Sequence, residues 1–183
     1  MHWLNAVAVL VLMTSGWQIY NASPLLDFKI SRDMTLGGWL GGALQWHFAA
    51  MWLLVANGVA YLLVNLLTQR WRQQFFPLST QELIEDFFDA LKGQLTHAVN
   101  GHYNAVQRLA YLLIMVDVVV LILSGLVLWK PVQFDLLRVL LGDYDMARWI
   151  HFCAMAVMVT FLLVHLAMVV LVPRSLLTML RGR

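Results

Sequence analysis

Residues 147–172 read ARWIHFCAMAVMVTFLLVHLAMVVLV, and this stretch decides the fold. Arg148 is its one charged side chain, and as an α-helix rising 1.5 Å per residue it crosses the ~30 Å of a bilayer's hydrocarbon. It carries two histidines, His151 and His165, 14 residues apart. That spacing is just under four helical turns, so both rings leave nearly the same face, ~21 Å apart along the axis. A polar ring inside a membrane span is costly and turns to the protein interior, where it marks function.

Working outward, three more apolar runs cover about residues 3–20, 38–66 and 105–129. Of the 183 residues 61% are hydrophobic and only 12% charged, with mean hydropathy +0.73. A soluble domain carries about twice that charged fraction. The missing charge is concentrated in the four runs, which predicts an all-α integral membrane bundle of four helices, one domain spanning residues 1–183. The first run lacks a basic leader and a small-residue cleavage site, so it reads as a retained span. The net charge of +2, with no basic stripe, argues against nucleic acid. The lone Cys153 excludes an intramolecular disulfide and reads as a small buried apolar residue.

Four spans place both termini on one side. Lys and Arg divide seven against five in favour of the terminal side, a bias toward cytoplasmic termini. The 67–104 connection then lies in the cytoplasm. Within it Thr80–Leu95 sets Glu82, Glu85, Asp86 and Asp89 beside Leu83, Phe87, Phe88 and Leu91, the pattern of a short amphipathic helix on a membrane or a partner.

The chain repeats itself. Trp46-His47-Phe48-Ala49-Ala50-Met51 in the second span matches His151-Phe152-Cys153-Ala154-Met155 in the fourth, with Trp149 just before it. Ser15-Gly16-Trp17-Gln18-Ile19-Tyr20 in the first matches Ser124-Gly125-Leu126-Val127-Leu128-Trp129 in the third. We read two copies of a helical hairpin, and the repeat makes His47 and His151 equivalent.

Depth then sorts the histidines. His47 and His151 lie early in their spans, near the outer side, and His2 and His165 lie near the inner side. Imidazole is a common axial ligand of haem iron. The expected pairs are His47–His151 for an outer haem and His2–His165 for an inner one. The repeat counterparts of the inner pair are Tyr111 and Tyr61, so one inner pair is expected. A single zinc ion cannot bridge His151 and His165 over that distance. His97 and His102 fall outside the spans and read as solvated or interfacial. Gly37, Gly38, Gly41 and Gly42 before His47, together with Gly16 and Gly125, suit close approach of a flat macrocycle or of another helix. Arg148 and Lys130 are outer candidates for haem propionates, and Arg108 and Arg174 inner ones. A quinone site is expected near His102, Tyr103, Asn104, Gln107 and Arg108. Asp117, halfway along the third span, needs a proton or a partner at that depth and is a candidate for either a structural bond or a proton path.

These residues carry a resemblance. The four histidines resemble the ligand set of the four-helix di-haem cytochrome b superfamily, which includes bacterial cytochrome b561 and the cytochrome b subunits of nickel-iron hydrogenase and formate dehydrogenase. His2-Trp3-Leu4-Asn5-Ala6, Ser15-Gly16-Trp17-Gln18-Ile19-Tyr20-Asn21 and Trp129-Lys130-Pro131-Val132-Gln133 look more like the branch that accompanies molybdopterin-dependent oxidoreductases. The likeness covers essentially the whole chain, with one departure: family members carry a leader before the first histidine, and here Met1 alone precedes His2. The resemblance implies two haem b groups on His2, His47, His151 and His165, placement in the bacterial inner membrane, and electron transfer between a periplasmic oxidoreductase subunit and quinone. It leaves open a homo-oligomer and the direction of flow. The alternatives are a stand-alone quinone-linked cytochrome b561-type oxidoreductase and a non-redox transporter that uses the histidines as transient ligands. No cysteine cluster, phosphate-binding glycine loop or Ser-His-Asp arrangement offers substrate chemistry of the chain's own.

Overall fold

A computed structural model describes residues 2–68 and 105–171. Among them every regular element is helical: α1 His2–Ala22, a single 3-10 turn Arg32–Met34, α2 Leu40–Thr68, α3 Ala105–Trp129, a short α4 Asp135–Leu140, and α5 Tyr144–Leu171. Four of these helices are long and apolar enough to cross a membrane. Helix is the outcome the solvent demands, because hydrocarbon offers backbone N–H and C=O groups no partner outside their own segment. The amphipathic segment expected at residues 80–95 and the sites expected at His97, His102, Tyr103, Asn104 and Arg174 lie outside the described residues.

The chain forms two compact units, one containing α1 and α2, the other α3, α4 and α5. In the first, α1 packs on α2, and in the second, α3 packs on α5. These are the two hairpins of the repeat. Each is closed along a seam of small residues. Ala8 and Ser15 are buried on α1, and Ala43, Ala50 and Asn57 on α2. Asp117 and Ser124 are buried on α3, and Ala147 and Ala154 on α5. Every step along these seams is seven residues, the interval that keeps one stripe facing a partner helix. Lower in the first hairpin, Asn57 Nδ2 donates to Asn5 Oδ1 at 2.6 Å. A bond of this kind between membrane helices contributes about 1 kcal/mol and fixes their register.

The helix ends differ from the sequence expectations for local reasons. The second span begins at Leu40, after Gly37 and Gly38, whose φ values of +107° and +70° belong to the left-handed region and not to a helix. The connection before them folds back onto the end of α1. Tyr20 donates through its hydroxyl to the carbonyls of Leu26 and Phe28, Asn21 bonds the backbone of Ile30 in both directions, and the Leu36 N–H reaches the Thr14 carbonyl at 3.0 Å. The fourth span starts at Tyr144, one turn earlier than hydropathy places it, because the Asp143 carboxylate accepts the Tyr144 N–H at 2.7 Å and starts the helix. Cys153 is a correction: it lies exposed on the outer face of α5, beside the buried Ala154 and not in the seam.

Between α3 and α5, Arg138 bonds both Asp135 and Asp143 at 2.6 Å. The Tyr144 N–H, and after it Arg138, hold the Asp143 carboxyl below the usual carboxylate range. A depressed carboxyl contributes stability above its unfolded-state pKa and loses it as pH falls through the folded value. Both carboxylates are exposed and Arg138 is only half-buried, so the effect is small and local. Acidification below the carboxylate range is expected to raise hydrogen exchange at the Asp143 and Tyr144 amides while the long helices stay protected. An Asp143→Asn variant is expected to show the faster exchange already at neutral pH, and wild-type-like protection in that variant would remove the role given to the carboxylate.

Candidate functional site

His47 stands in the third turn of α2, where the folded-back connection sets it level with Ser15 and Gly16 of α1. Ser15 Oγ lies 3.1 Å from His47 Nδ1, and the ring also hydrogen-bonds the backbone of Leu12. A Cβ on Gly16 would lie 3.5 Å from His47 Cε1, ordinary van der Waals contact, so the imidazole faces α1 at this glycine. The second hairpin repeats the arrangement. Ser124 Oγ lies 2.9 Å from His151 Nδ1, and a Cβ on Gly125 would sit 3.4 Å from His151 Cε1. In both copies the serine hydroxyl also bonds the carbonyl four residues back, Val11 at 2.5 Å and Val120 at 2.6 Å. Ser15 and Ser124 are fully buried.

Each hairpin therefore builds the same seat for one imidazole: a serine on Nδ1, a glycine under the ring edge, and Nε2 on the opposite side of the ring. Nε2 is the nitrogen a haem iron takes when the other is hydrogen-bonded. Among the described residues no three His, Cys, Asp or Glu side chains gather to hold a bare metal ion. Single histidines, each with a small-residue seat, are the donor set of a planar macrocycle with axial ligands, and the residues present fit that group.

The remaining sequence candidates fall as follows. His165 is half-buried on α5 and stacks on Phe161, with ring centroids 6.0 Å apart and planes 13° apart. His2 opens α1, exposed, with its ring edge-on to Trp3 at 5.5 Å. Arg148 is half-buried one turn before His151, with Asp145 at 3.8 Å. The Lys130 ammonium lies over the Trp129 ring at 5.5 Å, and Arg108 is half-buried near the start of α3. Asp117 is 8% exposed, and its Oδ2 has no hydrogen-bond partner among the described residues.

Of the glycines, Gly16 and Gly125 serve the histidines. A Cβ on Gly37 would strike the backbone of Ala43 and Gly42, one on Gly42 would strike the Gly37 carbonyl, and one on Gly41 would strike the Trp39 ring, so these three shape the entry to α2 instead. Sequence reasoning missed the serines. Their signal was present, since Ser15-Gly16 and Ser124-Gly125 hold the same register in the two copies, but a serine in a helix ordinarily needs only its own backbone.

Comparison with known proteins supplies the family. Residues 1–182 match the family described as prokaryotic cytochrome b561. Over 181 residues the chain is 58% identical to the putative protein-methionine-sulfoxide reductase subunit YedZ1 of Azospira oryzae, an alignment covering 99% of this chain and 91% of the relative. No solved structure matches. With four membrane-spanning helices and a histidine seat built twice, the chain belongs to the prokaryotic cytochrome b561 family and is a multi-pass membrane protein that binds haem b and transfers electrons.

Proposed function

We propose that the chain is the membrane-anchoring di-haem cytochrome b of an oxidoreductase, passing electrons between membrane quinone and a periplasmic partner. The observation that carries this reading is the serine-and-glycine seat around a histidine, built once in each hairpin. Equivalent seats suit the two ends of one axial pair, so His47 and His151 are assigned to one haem and His2 and His165 to a second. Arg148 and Lys130 are assigned to the propionates of the first and Arg108 to those of the second. Bound haem b supplies a one-electron Fe(III)/Fe(II) couple. The chain's part is to present Nε2 lone pairs, to hold each imidazole against its neighbouring helix, and to keep water out with its apolar helices, each of which tunes the potential.

The Azospira oryzae relative is named as a subunit of a protein-methionine-sulfoxide reductase. That supports a partner which carries the substrate chemistry, with protein methionine sulfoxide as its substrate class; a molybdopterin centre as the partner's cofactor rests on the resemblance of the His2–Ala6, Ser15–Asn21 and Trp129–Gln133 strings alone. Reduction of a sulfoxide consumes two electrons and two protons, so the current then runs from quinol outward through the haems. The Lys and Arg bias supports cytoplasmic termini in the bacterial inner membrane.

A dithionite-reduced minus oxidised spectrum, with haem counted per chain, tests the core of this reading. Two haem b per chain are expected, and one or none overturns the assignment. Asp117 is assigned a proton-carrying role at its unpartnered Oδ2. Asp117→Asn is expected to lower quinol-linked turnover about 100-fold or more, the lower end of what a positioned acid or base contributes, and to flatten its pH dependence. Unchanged turnover across pH removes that role and leaves the residue structural.

A further inference from the structure

The serines that hold the two histidines have each committed their only proton. Ser15 Oγ is 2.5 Å from the Val11 carbonyl oxygen and Ser124 Oγ 2.6 Å from that of Val120. Two oxygens this close require a hydrogen between them, and a carbonyl has none to give. The hydroxyl hydrogen therefore points back along the serine's own helix. What Oγ turns toward the imidazole, at 3.1 Å in one hairpin and 2.9 Å in the other, is a lone pair. A lone pair can only accept, so Nδ1 must carry the hydrogen, and in the neutral ring the lone pair then sits on Nε2; at His47 the Leu12 backbone is a second partner of the ring beside the serine. The bonds from the serines to the carbonyls three residues back are longer, 3.3 Å in both copies, and do not compete for the hydrogen.

We propose that Ser15 and Ser124 are paired positioning residues that lock His47 and His151 in the Nδ1–H tautomer and, through it, set the potential of the haem those histidines hold. The inference rests on the ligand assignment proposed above. It follows from the polarity of the contact. An Nδ1–H that donates to an acceptor shifts electron density toward Nε2, which makes the ring a stronger donor to iron and favours the ferric state. A hydroxyl oxygen is a milder acceptor than a carboxylate, so each serine gives a moderate push. It is also a neutral one, suited to a site inside the membrane. Fixing the tautomer has a second effect. A ring free to turn over presents the wrong nitrogen part of the time, whereas a ring bonded at Nδ1 and resting against a glycine presents Nε2 throughout. The two copies agree in partner atom, back-bonded carbonyl and glycine contact, so the lock acts alike on both axial ligands.

The test is a redox titration of the purified full-length protein, followed in the haem α-band, for wild type, Ser15→Ala, Ser124→Ala, the double variant, and Ser15→Thr and Ser124→Thr. Each alanine variant is expected to shift one haem toward the ferrous form about threefold to tenfold at fixed potential, the range a single hydrogen bond commands. Tenfold corresponds to ~59 mV for one electron. The double variant is expected to show the summed shift on the same wave, with the other haem unmoved as an internal check on folding. Threonine keeps the hydroxyl and the back-bond and is expected to restore the wild-type potential. Haem retained with both potentials unchanged in the alanine variants overturns the proposal. Equal shifts in alanine and threonine variants overturn it too, since they would report packing and not the hydroxyl. Full haem content in His47→Ala and His151→Ala overturns the ligand assignment instead, which keeps the two failures apart.

Discussion

His47→Ala and His151→Ala are each expected to remove the same haem, leaving the spectrum of the other. Losing a residue that only orients a ligand costs metal sites about 10- to 100-fold in affinity. Losing the ligand itself exceeds that, so occupancy of the affected haem should fall at least about 100-fold. In each variant the half-buried alanine stands on a helix whose own seam is already lined by alanine, Ala43 and Ala50 in the first hairpin and Ala147 and Ala154 in the second, so neither hairpin has cause to separate. Haem per chain, taken with the reduced α-band, measures the effect, and His165→Ala supplies the contrast because it should take away the other component. If His47→Ala and His151→Ala remove different spectral components, the two histidines do not share a haem.

The second large effect is expected at Gly37. Its φ of +107° costs an ordinary residue about 1–3 kcal/mol. A Cβ there would also strike the backbone nitrogen and Cα of Ala43, which cannot swing aside as a flexible side chain could. Ala43 is fully buried in the α1–α2 seam. Gly37→Ala therefore has to displace the start of α2, about two turns before His47, and is expected to destabilise the hairpin by about 3 kcal/mol or more and to lower haem occupancy with it. Gly38 is the control, since its φ is +70° but a Cβ would meet nothing within 4 Å. Gly38→Ala is expected to cost only the backbone strain, about 1 kcal/mol. Thermal loss of the Soret band in detergent reads both. Equal midpoints for the two variants would show that the Ala43 contact carries no weight.

Why the sequence foretold some of this and not the rest has a physical answer. The spans were legible because a bilayer leaves a chain one way to satisfy its backbone, so length and hydropathy suffice. The hairpin repeat was legible because Ser-Gly and His-Phe strings survive in both copies. The helix starts were not, since they are decided by the left-handed glycines before Leu40 and by the Asp143 carboxylate on the Tyr144 N–H. Cys153 was misjudged because a membrane helix is apolar all round, and hydropathy cannot tell its seam from its outer face. The seven-residue steps through Ala43, Ala50 and Asn57 and through Ala147 and Ala154 hold that information, in residue size and not in polarity. The four glycines before His47 looked like one group. Their φ values and neighbours divide them from Gly16 and Gly125, which alone meet a histidine ring.

The closing of each serine–histidine contact within its own hairpin bears on how such a protein is made. A chain emerges from the ribosome N-terminus first, and folding units complete themselves as they appear. Once α1 and α2 are in the membrane, His47 has its serine, its glycine and its tautomer, before α3 has been synthesised. His151 is finished in the same way by α3 and α5. On the ligand assignment proposed above, His47 and His151 are thus prepared by protein alone, and delivery of the prosthetic group follows with neither of these two side chains left to reorient when it arrives.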